Sequence, residues 1–489
     1  MLNLIAGTYQ ALEATDTMTG PAVTTIKQDP PEEHISHSDH RPRLAVERRG
    51  IEYIPDGERH GHPWQLGAMW SALVMNVLTV VYGTLLVAMG LNWWQALLAI
   101  VLGNLTWAIA GVVSLAGPAA GTTTFGVSQM IFGRAGVRPV AFFNWIMMLG
   151  YEVLDLVVMV LATGALLDMA GVKVSTSGQV LIVVLLSVLQ AVLPLLGHAA
   201  ITKVLRLLVI PFAAIFLAMA WLVADDIQVA DSAPGSWGLF LGGVALAASG
   251  SGLGWSSTAA DYSRYLPATT GRLRIVAAVT LGGGVPQALL MTLGAAIAIA
   301  LPDAGDPVAG LSTVFPAWLV VIYLVLVIVQ MVSLNGVDLY SSGVTLQAMG
   351  VRISRWQAVL VDGVLCGIVG AAVVLSGSFY QFVSTFLLFM IVWFAPWAGV
   401  FLVDLVLRRG RYPRASEALL QSFSKAGVGA QLLGMVAAAL CINTTIFVGP
   451  VAAALGGADL SVVAGLLVGA LTYPILLRVT PASKEGATV

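Results

Sequence analysis

The chain is written in long apolar runs separated by short polar connections. A helix needs ~20 mainly apolar residues to cross the ~30 Å hydrocarbon core of a bilayer. Runs of that kind fall near 67–90, 93–116, 139–168, 179–197, 203–224, 238–260, 275–300, 317–343, 357–376, 380–406, 430–454 and 459–478. They predict twelve transmembrane helices, the first to the twelfth span in chain order. The third is long enough to be strongly tilted. Residues 1–50 mix Pro, Thr, His, Glu and Arg without apolar periodicity and read as a disordered cytoplasmic tail. A pre-helix segment, 51–66, then leads into one transmembrane domain over 67–478, and 479–489 form a short cytoplasmic tail.

Composition agrees with the pattern. The chain is 58% hydrophobic and only 10% charged, against ~25% charged in soluble domains. Most of it therefore never faces water. The 52 glycines suit helices that pack closely in lipid. The two cysteines, Cys366 and Cys441, sit in apolar stretches and predict no disulfide framework. The polar residues 1–66 offer no leading apolar core for a cleavable signal peptide.

Loop charge tests the span count. With twelve spans and the N-terminus inside, the inner loops hold Arg134, Arg138, Lys203, Arg206, Arg264, Arg272, Arg274, Arg352, Arg355, Arg408, Arg409, Arg411, Arg414 and Lys425. The outer loops hold Lys173, with Asp225, Asp226, Asp231, Asp303, Asp306 and Asp459. Basic residues retained on the cytoplasmic side give this distribution. It predicts a multi-pass protein of the cell membrane with both termini cytoplasmic.

The candidate chemistry lies in residues that lipid disfavours. An acid at mid-bilayer costs ~2.5–3.5 kcal/mol on insertion scales, so it tends to mark a pathway or a paired site. The third span carries Tyr151, Glu152 and Asp155. Tyr151 and Asp155 are four apart and share a helix face, an aromatic platform with a carboxylate one turn along. Glu152 points about 100° away. The eighth span carries Ser333, Asn335, Asp338, Ser341 and Ser342. Two readings stand for these acids: a solute pathway, or hydrogen bonding between packed helices.

The sixth span contains Ser249-Gly250-Ser251-Gly252-Leu253-Gly254-Trp255-Ser256-Ser257. Such a stretch has poor helix propensity. It is either a close-packing seam or an unwound segment whose backbone groups bind a small polar solute. Trp255 beside it stacks on a planar ligand or is simply packed. Asn76 in the first span is a site residue or interhelical glue. No Gly or Pro marks a break at the centre of that span. The histidines His60, His62 and His198 form no metal cluster, and no nucleophile–base or HExxH-type set lies in a span, which disfavours an intramembrane enzyme. No repeated filter sequence or charged ring suggests a channel.

Several motifs resemble those of purine–cytosine permeases. They are Ile51-Glu52-Tyr53-Ile54-Pro55-Asp56-Gly57-Glu58-Arg59 before the first span, Gly117-Pro118-Ala119-Ala120-Gly121-Thr122 after the second, and Ala259-Ala260-Asp261-Tyr262-Ser263-Arg264-Tyr265 closing the sixth. Phe132-Gly133 with Phe143-Asn144-Trp145 fits the same pattern. The chain thus resembles the nucleobase–cation symporter family, which includes the hydantoin and cytosine permeases, over roughly residues 50–480.

The resemblance implies an all-α, LeuT-like fold. Two inverted five-helix repeats, about 67–224 and 238–406, are followed by two extra helices within 430–478. It implies a secondary transporter that imports a small molecule with H+ or Na+ by alternating access, without a cofactor and without a nucleic acid partner. Carried over by position, Tyr151 matches the aromatic that stacks on the substrate. Asp155 and Asp338 match amides that hydrogen-bond it, and Asn76 matches a polar residue of the first span. Ser251 and Gly252 fall in the unwound part of the sixth span. For the aromatic role there, strict register favours Gly252, while Trp255 is the nearest aromatic. Glu152 joins the candidate substrate-binding set. In sodium-coupled relatives the cation is held at positions matching Ala72, Met75 and Val329 through carbonyls, and Val332 and Ser333 through hydroxyls. Gln287, Asn335 and Gln381 are expected at most behind or beside the site.

Two departures bear on mechanism. Val332 has no hydroxyl, so the sodium site is incomplete and proton coupling gains ground. Aspartates replace two amides, and an ionised carboxylate only accepts hydrogen bonds. The site then favours a ligand rich in N–H groups, such as a nucleobase or related N-heterocycle, or else a cationic amidine, guanidine or amine. Alternatively, one aspartate is protonated and carries the coupled proton.

Overall fold

A computed structural model describes residues 53–480, apart from 197, 225–232, 301–307, 309, 314, 352 and 414–420. The predicted tail 1–50 lies outside the described residues, as do Ile51 and Glu52 of the pre-helix motif and the acidic loop residues Asp225, Asp226, Asp231, Asp303 and Asp306. Among the described residues the regular elements are all helices, apart from one isolated bridge, Asn443 to Val448. Eight helices are long and apolar enough to cross a membrane, and a bent pair, Pro63–Val74 with Val77–Ala88, makes a ninth. Three shorter apolar helices occupy the predicted fourth, fifth and eleventh spans.

Two spans differ from the sequence pattern. The first is discontinuous, with its halves meeting at 59°. The eleventh helix is Lys425–Cys441 rather than 430–454. It stops where Ile442-Asn443-Thr444 turns extended, and Asn443 is held by Asp459 and the Gly457 carbonyl. A separate turn, Pro450–Ala454, follows.

Packing sorts the spans into two groups. The first, second, sixth and seventh pack on one another, and the third, fourth, fifth, eighth and ninth form a second layer. The third and eighth spans share the most extensive contact. Glycines let the first group close up. A Cβ on Gly83 of the first span would overlap the Met291 carbonyl of the seventh, and one on Gly294 would overlap the Val80 carbonyl. Small residues that let backbones touch are the usual glue between helices in lipid. Gly83→Ala is expected to destabilise the protein by about 1–3 kcal/mol through overpacking. Thermal unfolding in detergent checks this, and an unchanged melting temperature would mean that the two spans do not meet as described.

The separate motifs meet in space. The Ile54 amide donates to the Gly121 carbonyl at 2.8 Å. Arg59 donates to the carbonyls of Ile54 and Pro118 at 2.8 and 2.9 Å, and pairs with Asp56 at 3.2 Å. Gly121 has φ +66°, and a side chain there would strike Arg59. Asp261 accepts from the Thr124 amide at 2.7 Å, and Thr124 in turn accepts from the Ala260 amide. These contacts tie the pre-helix segment and the end of the sixth span to the loop after the second.

Candidate functional site

The break in the first span is built by Asn76. This residue is extended (φ −141°, ψ 168°) and caps the second half-helix, its side chain accepting from the Thr79 amide at 3.0 Å. An asparagine N-cap stabilises a helix start by about 1 kcal/mol. The preceding half-helix ends with carbonyls that have no intrahelical donor. Side chains supply the donors: Asn76 Nδ2 to Leu73 at 2.7 Å, Thr79 Oγ1 to Val74 at 2.7 Å, and Gln330 Nε2 to Met75 at 2.6 Å.

The sixth span breaks as its Gly-Ser content predicts. Helix Trp237–Ser249 stops and a short turn, Gly252–Trp255, restarts after Ser251 at φ −111°, ψ −143°. The Gly250 carbonyl at the break accepts from Gln287 Nε2 at 2.8 Å, while Gln287 Oε1 accepts from Trp107 Nε1 at 2.7 Å.

A narrow cavity lies between the two breaks and the third and eighth spans. Asn76, Tyr151, Asp155, Trp255 and Asp338 line it, so five predicted site residues come together. Gly250, Thr79, Tyr82 and Gln287 line it too. Of these, Gly250 belongs to the anticipated sixth-span break and Gln287 was expected only behind the site, while Thr79 and Tyr82 were not singled out. Tyr82 reads in the sequence as one more apolar-run aromatic. Its place is fixed by Gly250, against which its ring packs.

The rings of Tyr151 and Trp255 face each other, centroids 6.2 Å apart and planes within 16°. A flat ring sandwiched between two others needs about 7 Å, two van der Waals layers of ~3.5 Å. A small opening therefore admits one. Trp255 is braced edge-on by Trp70 at 5.7 Å, and Tyr151 by Phe386 at 5.3 Å.

The carboxylates differ in their partners. Asp155 is 1% exposed, and neither of its oxygens has a hydrogen-bond partner among the described residues. The same holds for Glu152 at 0% exposure. The half-buried Asp261 and the buried acids Asp362, Asp404 and Asp459 each accept from protein donors. Asp404 illustrates the structural type: Arg408, Tyr412 and Tyr473 all donate to it, tying the tenth span to the twelfth.

Three predicted site residues do not line the cavity. Ser251 turns toward Asn104 of the second span, 3.4 Å away. Gly252 abuts the Trp107 backbone, where a Cβ would overlap it, so the close-packing reading describes it. Glu152 sits on the far face of the third span, where its backbone carbonyl accepts from Asn335 Nδ2 at 3.2 Å. Gln381 is exposed and also stands outside the lining.

At the candidate cation positions, Ala72 is buried beside the break. The Met75 carbonyl is engaged by Gln330, and the Val329 carbonyl accepts from Ser333 Oγ at 2.9 Å. Val332 contributes a buried apolar side chain and no oxygen. Among the described residues no cluster of His, Cys, Asp and Glu could hold a metal ion.

Residues 53–467 match the family described as permease for cytosine/purines, uracil, thiamine, allantoin. Among curated proteins, the putative purine-cytosine permease YxlA of Bacillus subtilis is 29% identical over 460 residues, covering 89% of this chain and 96% of its own. The purine-cytosine permease fcyB of Emericella nidulans is 24% identical, covering 88% of each. Among solved structures, Mhp1, a nucleobase-cation-symport-1 family transporter in a closed conformation with bromovinylhydantoin bound, aligns with a TM-score of 0.69 at 17% identity. That alignment covers 91% of this chain and 99% of Mhp1. A Na+-coupled sialic acid symporter aligns at 0.57 and 14% identity, over 88% and 92% of the two chains.

Proposed function

We propose, from the premise that this chain belongs to the family of permeases for cytosine/purines, uracil, thiamine and allantoin, that it imports a nucleobase or related small N-heterocycle by cation symport. It is a multi-pass membrane transporter of LeuT-like fold, not an enzyme, and in our reading it sits in the cell membrane with both termini cytoplasmic. The observation that carries the substrate class is the near-parallel pair Tyr151 and Trp255. Two facing rings with their edges closed by carboxylates suit a flat ring whose N–H groups point outward. Asp155 and Asp338 accept those N–H groups, and Asn76 and the sixth-span backbone at Gly250 complete the polar rim. The names of the curated relatives and the hydantoin held by Mhp1 support the same class. Transport follows by alternating access, with ligand and cation released together on the inner side.

One observation favours a second reading. Asp155 is buried with neither oxygen partnered among the described residues, and a buried charge is stable when paired. A cationic amidine, guanidine or amine would supply that partner within the same cavity.

Thermal unfolding of the detergent-purified protein separates the two. A ligand that binds only the folded state stabilises it by RT ln(1 + [L]/Kd). Cytosine, adenine, hydantoin and pyridine vitamins at millimolar concentration are expected to raise the melting temperature. A shift with guanidines and amidines alone would replace the first reading by the second, and no shift with either class would defeat both.

A further inference from the structure

Away from the cavity, the third, fourth, eighth and ninth spans enclose a polar layer around Glu152. Asn335 Nδ2 donates to the Glu152 carbonyl at 3.2 Å and to Gln190 Oε1 at 2.5 Å, and Gln190 Nε2 reaches Cys366 Sγ at 3.4 Å. The layer is rich in acceptors and short of donors. Both Glu152 carboxyl oxygens and Asn335 Oδ1 are buried with no partner among the described residues. The other buried acids of these spans are Asp155 of its own span, Asp338 of the eighth and Asp362 of the ninth. The ninth span also presents Cys366, and the fourth Gln190. None of these groups is a cation. An unpaired carboxylate in such surroundings is costly as an anion and far less so as a neutral acid. One added proton also supplies the donor that the layer lacks.

The polar set continues beyond it. Asp362 accepts from Trp145 Nε1 at 2.9 Å and from Ser342 Oγ at 2.5 Å. Trp145 and Ser342 each lie seven residues from Glu152 and Asn335, two helical turns or ~10.5 Å toward one end of the bundle. On the cavity side, Asp155 is one turn from Glu152 on the same helix. A row of acids thus runs from the cavity, through Glu152, to Asp362.

Of the backbone carbonyls at the candidate cation positions, those of Met75 and Val329 are already engaged. The Leu73, Val74, Met75 and Val329 carbonyls all accept from side-chain donors of the protein, whereas a hard cation takes several free oxygens.

We propose that the coupling ion is a proton and that Glu152, beside the cavity rather than in it, is the group that carries it. The proposal rests on the symport reading above. Loading converts the Glu152 carboxylate and one proton to the neutral acid, and unloading returns both. Charge and atoms balance at one proton per cycle, and Asp362 lies on the exit side. Substrate binding to Tyr151, Trp255 and Asp155 is separate from this step, so coupling can be removed without removing binding.

The test uses the full chain in proteoliposomes with two readouts. The first needs no substrate: infrared difference spectra between acid and alkaline buffer should show a buried protonated carboxyl band that Glu152→Gln removes and Glu152→Asp retains. The second uses radiolabelled cytosine. A gradient of one pH unit supports about tenfold accumulation at one proton per substrate. In Glu152→Gln the accumulation ratio should fall to 1 while cytosine exchange persists, and replacing sodium should change neither. A band unchanged in Glu152→Gln, or pH-driven accumulation that survives it, overturns the proposal. Failure of the wild type to move cytosine would count against the substrate reading, and the infrared result would still decide the role of Glu152.

Discussion

Trp255→Ala is expected to weaken ligand binding by about 1–3 kcal/mol, the usual worth of stacking one base on an aromatic side chain, which is ~5- to 150-fold in Kd. The argument is geometric. Trp255 is half of the only facing ring pair that borders the cavity among the described residues, and Trp70 braces it. Truncation removes one wall of the sandwich and leaves Tyr151 to stack from one side. Trp255→Phe retains a flat face and should recover most of the loss. Isothermal binding or thermal shift with the strongest ligand of the panel checks the order wild type, Phe, Ala. Equal affinities in all three would mean that the ligand does not lie between the rings.

Asp155→Asn is the second large effect, and its sign differs between protein and ligand. Hydrogen bonds to charged groups contribute ~1.5–3 kcal/mol, so affinity for an N–H-rich heterocycle should drop ~10- to 150-fold. The ligand-free protein should keep or gain thermal stability, because an unpartnered buried carboxylate has gone. A structural aspartate behaves in the opposite way. Asp404, with Arg408, Tyr412 and Tyr473 donating to it, would lose stability on the same change. If guanidines or amidines are the ligands, Asp155→Asn abolishes their binding and admits neutral nucleobases instead. Loss of stability without a change in affinity would place Asp155 among the structural acids.

Much of this was legible in the sequence, and the exceptions have identifiable causes. Hydrophobic runs located the spans, with the eleventh displaced toward the N-terminus, since lipid demands that every backbone group be satisfied within a helix or by neighbouring protein. The break in the first span was hidden because it uses no Gly or Pro. Its signal was Asn76 followed three residues later by Thr79, a capping pair that reads as two scattered polar residues in an apolar run. The register across the sixth span, carried over by position from the family, pointed to Gly252, which lies just past the break at Ser251. Gly252 is packed on the Trp107 backbone, and Trp255 supplies the ring facing Tyr151. Gln330 is a different case. Nothing local distinguishes it from a packing glutamine, and its contact with Met75 joins residues 255 positions apart. Glu152 was seen as an acid on another face than Tyr151, but what that face meets depends on the fourth and ninth spans, which no local pattern places.

Uptake into proteoliposomes tests the central claim most directly. Purified protein is reconstituted and loaded with buffer, and entry of radiolabelled cytosine, adenine and hydantoin is followed under an inward cation gradient. The account predicts concentrative uptake of at least one flat N-heterocycle, competed by the others and lost in Trp255→Ala. Gradient-driven uptake of a non-planar aliphatic guanidine or amine, with no uptake or competition by any of the three rings, would contradict it.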